Sequence, residues 1–107
     1  MSKRPNRLDA LRETAPKLVE LTEQVAYADV WERPELSKRD RSLIIVAALV
    51  VMNRTGQLPG HLNRALNNGV TREELIEAIT HLSFYSGWPT ALTAATIAKD
   101  VFKARED

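Results

Sequence analysis

Two histidines, His61 and His81, are the only side chains of this sequence whose ordinary proton affinity lies near neutral pH, and Tyr85 stands four residues beyond the second. The chain has no cysteine, so thiolate nucleophiles, disulfides and cysteine-based zinc sites are excluded. Chemistry must come from the imidazoles, tyrosines, carboxylates, basic groups or hydroxyls such as Ser42. On a helix, residues four apart share a face, so His81 and Tyr85 reach the same small volume. If a preceding helix brings His61 up to them, two imidazoles and a phenol supply the donors and acceptors of general acid–base catalysis. The structural alternative is that each histidine caps a helix or bonds backbone at its edge, a common role for a helical histidine beside an apolar stripe. Two histidines twenty residues apart make a poor metal cage, and no metal site is expected.

Arg39 and Arg41 fall in the first turns of an apolar helix, where the partly positive helix N-terminus disfavours a cation. A bound carboxylate on Arg41 compensates for that placement, with the helix N-terminus adding to the attraction. An ion pair with Glu32, Glu35 or Asp40 is the simpler account of Arg39. Ser42 follows directly, and if it faces the interior its hydroxyl needs a partner or a ligand. Trp31 and Trp88 suit either packing or the lining of a flat unsaturated ligand. The cluster Arg72, Glu73, Glu74 and Glu77 reads as a solvated helix face with its acids toward the N-terminus, and carries no catalytic role.

These residues need helices to position them. Helix-period patterns and caps recur along the 107 residues with little strand-type alternation, which predicts one all-α domain, residues 1–107, of five to six helices. Leu8, Leu11, Ala15, Leu18, Leu21 and Val25 set an amphipathic helix over residues 7–26 that kinks or restarts at Pro16. Residues 28–36 read as an irregular stretch held by Trp31, with Pro34 against helix. Ser37 with Asp40 caps the next helix. Residues 43–52, LIIVAALVVM, are all apolar, so this helix must be buried on every side, yet ten residues are far short of the ~20 that span a bilayer. A chain this small has few helices with which to wrap it. A second subunit is expected to cover part of it, making the protein a homo-oligomer.

Residues 53–59 read as a break, followed by a helix over residues 60–67 that ends at Asn67, Asn68 and Gly69. Thr71 and Glu74 form a capping box for a helix over residues 72–86. Gly87 stops it, and Pro89 opens a last helix reaching about residue 104. The short loop at Asn68 and Gly69 predicts that the helices carrying His61 and His81 are antiparallel neighbours with their apolar faces together. Fifteen Lys plus Arg against fourteen Asp plus Glu give a net charge of +1 with no basic patch, which argues against a nucleic-acid partner. The N-terminus MSKRPNRLDA has no apolar run behind its basic residues, so neither signal peptide nor membrane anchor is expected and the protein reads as cytoplasmic.

The ordered set DVWERPELSKRDRSL, the apolar run, and LPGHLNRALNNGVTREELIEAITHLSFYSGWPTAL resembles the carboxymuconolactone decarboxylase family over residues 29–95. The resemblance implies an all-helical fold of the alkylhydroperoxidase D-like kind, assembled as trimers or hexamers. Peroxidase-type members carry a Cys-x-x-Cys pair ahead of the motif histidine and a glutamate near the start of the apolar helix. The corresponding positions here are Arg54, Gln57 and Ser42, which excludes thiol peroxidase chemistry. Decarboxylase-type members convert the γ-carboxy-lactone of the protocatechuate pathway to CO2 and the enol-lactone without a cofactor. RDRSL and HLSFYSGWP are similar to that branch, although the region before Trp31 is shorter than in the pathway enzymes.

The expectation is a cofactor-free decarboxylase acting on a γ-carboxy-lactone or a related unsaturated carboxylic acid. His61, His81 and Tyr85 are its candidate acid–base residues, and Arg41, Arg39, Ser42 and Trp88 its candidate substrate contacts. An isomerase or hydratase of a related acid would use the same set. A non-catalytic oligomeric binding or scaffold protein would keep the fold without the chemistry. Histidines converging on one pocket favour an enzyme, and histidines turned apart into backbone contacts favour the scaffold.

Overall fold

Pro16 and Thr22 shape the N-terminal part of the chain. The computed structural model describes residues 7–106 and divides into two compact units at the junction of Glu35 and Leu36. Residues 1–6, with the basic start of the chain, and residue 107 lie outside the described residues. In the first unit the helix restarts at Pro16, as its sequence suggests: α1 (Arg7–Leu11) ends in a turn, and α2 (Pro16–Leu21) begins with the proline in its first turn, where no amide hydrogen is needed. The Thr22 hydroxyl donates to the Leu18 carbonyl at 2.7 Å. Such back-bonding loosens a helix. Residues Thr22–Tyr27 follow as a π-helical stretch in which Ala28 N–H donates to Glu23 O at 3.0 Å.

Arg12 ties the pieces of this unit together, donating to both oxygens of Glu23 at 3.0 and 2.5 Å and to Asp9 at 3.0 Å. Trp31 is half-buried in a short 3-10 turn, Val30–Glu32, with its ring 5.9 Å from Tyr27. Arg33 turns extended ahead of Pro34, as a residue before proline must.

The second unit holds four helices: α3 (Lys38–Val51), α4 (Leu58–Asn67), α5 (Arg72–Ser86) and α6 (Trp88–Glu106). No strand occurs among the described residues, so the fold is all-α as expected. Ser37 caps α3 by accepting from Asp40 N–H at 3.0 Å. Both halves of the Thr71–Glu74 capping box are formed, at 3.1 and 2.9 Å. Gly69 at φ 102° and Gly87 at φ 99° take the positive backbone angles that end α4 and α5. α4 begins earlier than its sequence indicates, because Pro59, which reads as a breaker, occupies the first turn.

The core runs through Val46, Leu49 and Val50 of α3, Leu58, Leu62 and Ala65 of α4, Leu75 and Ile79 of α5, and Ala94, Ala98 and Val101 of α6. The expected face-to-face packing of α4 on α5 does not hold: each packs on α3 and on α6. The apolar run of α3 takes both, and Val70, in the connection between α4 and α5, is buried in the same core. The apolar run itself is not enclosed within one chain. Ile44, Val51 and Met52 are about half-exposed on the side of α3 turned from the core.

Candidate functional site

His61 is half-buried on α4, and its Nδ1 is shielded from water with no hydrogen-bond partner among the described residues. Burial, reinforced by the Arg64 guanidinium, holds its proton affinity below the ordinary histidine value. At neutral pH it is therefore an uncharged imidazole, able to donate from one nitrogen and accept at the other.

His81 lies on the exposed face of α5 with its ring centroid 5.2 Å from that of Tyr85, tilted by 43°. The four-residue spacing thus brings this pair together. Tyr85 is 75% exposed, so the phenol and imidazole stand on the surface of the single chain. Beside them Phe84 meets Trp88 edge-on, with centroids 5.5 Å apart across the turn at Gly87. Nothing in the sequence argument singled out Phe84, although its spacing of four from Trp88 was available. The hydroxyls of Thr80, Ser83 and Ser86 are turned to backbone carbonyls of α5 itself, at 2.6 to 3.0 Å. His81 and Tyr85 remain as the candidate residues on that face. His61 is held on a helix that does not pack on α5, so the two histidines are not brought together by helix–helix contact.

The α3 N-terminus carries the candidate arginines. Arg39 donates to Asp40 Oδ1 at 3.0 Å and to Glu74 Oε2. Its guanidinium is held further toward the charged form by Glu74 first and Asp40 second. This answers the electrostatic problem of a cation at a helix N-terminus with two carboxylates, one of them from the α5 cap. Arg41 is half-buried and anchors its Nε to the Leu36 carbonyl at 3.1 Å. Ser42 is fully buried, and its hydroxyl accepts from Asn68 Nδ2 at 2.9 Å. The partner its burial demands is thus a side chain from the α4–α5 turn, a contact that no local spacing signals.

Arg54 and Gln57 are exposed in the α3–α4 connection. Arg54 lines a shallow crevice with Asn53, Thr55, Thr90 and Thr93 at the start of α6. None of the candidate site residues lines that crevice. No helix among the described residues is long and apolar enough to cross a membrane, and no three His, Asp or Glu side chains among them are grouped to hold a metal ion.

Residues 16–100 match the model of the carboxymuconolactone decarboxylase family. A 4-carboxymuconolactone decarboxylase of Acinetobacter baylyi is 44% identical over 78 residues, 73% of this chain and 58% of the relative. A nitrosuccinic acid decarboxylase of Metarhizium robertsii is 34% identical over 80 residues, covering 75% of this chain and 56% of the relative. Peroxisomal protein 2 of Schizosaccharomyces pombe is 36% identical over 72 residues, 66% of this chain and 34% of its own. The chain therefore spans a little over half the length of the two decarboxylases it matches.

Proposed function

This chain belongs to the carboxymuconolactone decarboxylase family, and from that premise we propose that it is a cofactor-free decarboxylase of a γ-carboxy-lactone or related acid, working as a homo-oligomer. The 44% identity to a 4-carboxymuconolactone decarboxylase carries the reading. The second decarboxylase relative widens it in a chemically informative way. In a γ-carboxy-lactone the electron pair freed by C–C cleavage flows through the double bond to the lactone carbonyl. In nitrosuccinic acid the nitro group takes the same pair. Both acids supply their own electron sink, so the protein need only hold a carboxylate, stabilise the oxygen that gains charge, and return a proton to carbon.

The residues suit those tasks. Arg41, at the N-terminus of α3, anchors a carboxylate, and Arg39 supports that end of the helix through Glu74. Tyr85, whose ring lies 5.2 Å from that of His81, donates to the oxygen that gains charge. His81 delivers the proton to carbon, and the CO2 leaves near Trp88, where an apolar wall favours a neutral product. The balance is one C–C bond broken, one C–H bond formed, and no net change of oxidation state in the protein.

The test is CO2 release from 4-carboxymuconolactone, nitrosuccinate and a small panel of unsaturated lactone acids. Turnover of at least one with no added metal or coenzyme is expected. Unchanged turnover in both His81→Ala and Tyr85→Phe would remove the acid–base assignment, and isomerised or hydrated product without CO2 would replace decarboxylation with the neighbouring chemistry.

A further inference from the structure

The end of α3 fixes where Arg54 stands. Asn53 takes φ 55°, a left-handed angle that asparagine tolerates better than most residues bearing a Cβ. Asn53 N–H then donates to Val50 O at 3.1 Å and Arg54 N–H to Leu49 O at 2.9 Å, the paired bonds of a Schellman cap. The Arg54 carbonyl accepts from Gln57 and Leu58 N–H at 3.3 and 3.2 Å, where α4 begins. Its backbone is thus held from both sides, and its side chain lines the crevice shared with the first two turns of α6.

That crevice has a buried apolar floor of Leu49, Val50, Leu58 and Ala94 and a polar rim of Asn53, Arg54, Thr55 and Thr93, all exposed, with Thr90 half-buried. Its walls leave no room for a water between them, so a ligand meets it at the rim. The rim groups are uncommitted. Arg12, Arg39 and Arg72 pair with carboxylates, and Arg105 holds the side-chain carbonyls of Asn63 and Asn67. The hydroxyls of Thr22, Thr80 and Thr96 donate to the carbonyl one turn back. By contrast, neither the Arg54 guanidinium nor the hydroxyls of Thr55, Thr90 and Thr93 have a hydrogen-bond or ion-pair partner among the described residues. The sequence supplies no counterion either: it has no Asp or Glu between Asp40 and Glu73, nor between Glu77 and Asp100.

We propose that this rim is a binding site for the carboxylate of a small organic acid, with Arg54 as its anchor and the hydroxyls of Thr90 and Thr93 as further donors. A guanidinium presents two parallel N–H groups to the two oxygens of a carboxylate. Thr90 and Thr93, three apart on α6, share a face, and the partly positive N-terminus of that helix adds to the attraction. One cation among neutral donors matches a single negative charge, which favours a carboxylate over a phosphate group carrying nearly two. Only the charged end of the acid is held, and the remainder of it stays in solvent. Arg41, the anchor in the proposed decarboxylation, does not line this crevice, so the site stands apart from that reading.

The experiment titrates the full chain with acetate, succinate, phosphate and chloride at constant ionic strength and neutral pH, following the backbone amide NMR signals of Thr55, Thr90 and Thr93 and the Nε–H signal of Arg54. Wild type is compared with Arg54→Gln and with the double variant Thr90→Val, Thr93→Val, and circular dichroism checks that each keeps its helices. Acetate or succinate should shift these signals saturably in wild type, with phosphate binding no more tightly and chloride giving no saturable shift. Arg54→Gln should weaken the carboxylate by about tenfold or more, the worth of a hydrogen bond to a charged group, and the double threonine variant by about threefold or more. No saturable shift with either acid, an equal response to chloride, tighter binding of phosphate, or unchanged affinity in either folded variant each overturn the proposal. Turnover is not a readout, so the outcome here and the outcome of the CO2 assay are independent.

Discussion

Arg39 and Glu74, thirty-five residues apart in sequence, join the N-termini of α3 and α5 through one carboxylate that serves two partners. Glu74 Oε1 accepts the Thr71 amide at 2.9 Å as part of the α5 cap, and Oε2 takes the Arg39 guanidinium. The acid that reads in sequence as one member of a solvated cluster is thus the fastener between the helix bearing Arg41 and the helix bearing His81.

The Thr71 bond and the Arg39 pair together hold the Glu74 carboxyl below its ordinary value of 4.5. A depressed native carboxyl means the unfolded chain binds more protons in that window, so this stabilisation is present above pH 4.5 and is lost as the pH falls through the native value. Urea unfolding at pH 3 and pH 5 should show a smaller loss on acidification in Glu74→Gln than in wild type. Thr71→Ala, which removes the reciprocal cap bond, should cost about 1 kcal/mol at neutral pH. An acid response identical in Glu74→Gln and wild type would disprove the coupling.

Ser42 and Asn68 give a prediction that separates packing from substrate contact. Ser42 is fully buried with Asn68 as its donor, so Ser42→Ala should cost about 1 kcal/mol of stability, the net worth of one hydrogen bond. KM for the decarboxylated acid should stay within twofold of wild type. A large rise in KM at unchanged stability would return Ser42 to the substrate.

Much of this architecture was legible because caps are local. Ser37, the Thr71–Glu74 pair, Gly69, and Gly87 followed by Pro89 are read from spacings of a few residues, and each marks the helix boundary it signals. The choice of packing partner was not legible. α4 and α5 adjoin in sequence, but both prefer the broad apolar stripe of α3, and only the summed burial of all four helices decides that. The Ser42–Asn68 and Arg39–Glu74 contacts were invisible for the same reason, being set by where helices cross. For the candidate site, the His81–Tyr85 pair followed from helical spacing, whereas its exposure did not.

Gly87 ends α5 at φ 99° and ψ 151°, a backbone region that glycine alone occupies readily. A Cβ there meets no atom within 4 Å, so the penalty of Gly87→Ala is conformational and not steric. A loss of about 1–3 kcal/mol is expected by chemical denaturation. Because this turn sets Trp88 against Phe84, tryptophan emission should also shift in the folded variant when measured in a Trp31→Phe background.

His61 should leave a pH signature of its own. Its native proton affinity lies below the ordinary 6.5, so the unfolded chain binds more protons in that window. Stability from the uncharged His61 is present above pH 6.5 and declines as the pH falls through the native value. Denaturation midpoints for His61→Gln between pH 5 and 7 should change less than those of wild type. The Glu74 contribution changes only below pH 4.5, so the two are separable in one titration series.

His81→Gln and Tyr85→Phe test the exposed pair itself. Both side chains lie on the outside of α5 and contribute nothing to the core, so each change should shift stability by no more than ~0.5 kcal/mol. Their effect on turnover should be far larger. Loss of a proton donor from the transition state costs about 10²–10⁴-fold in rate, and His81→Gln should fall in that range with KM little changed. Tyr85→Phe keeps the ring against His81 and removes only the hydroxyl. A smaller loss in Tyr85→Phe than in His81→Gln would make the phenol a support for the imidazole, whereas equal losses would place both on the reacting atoms.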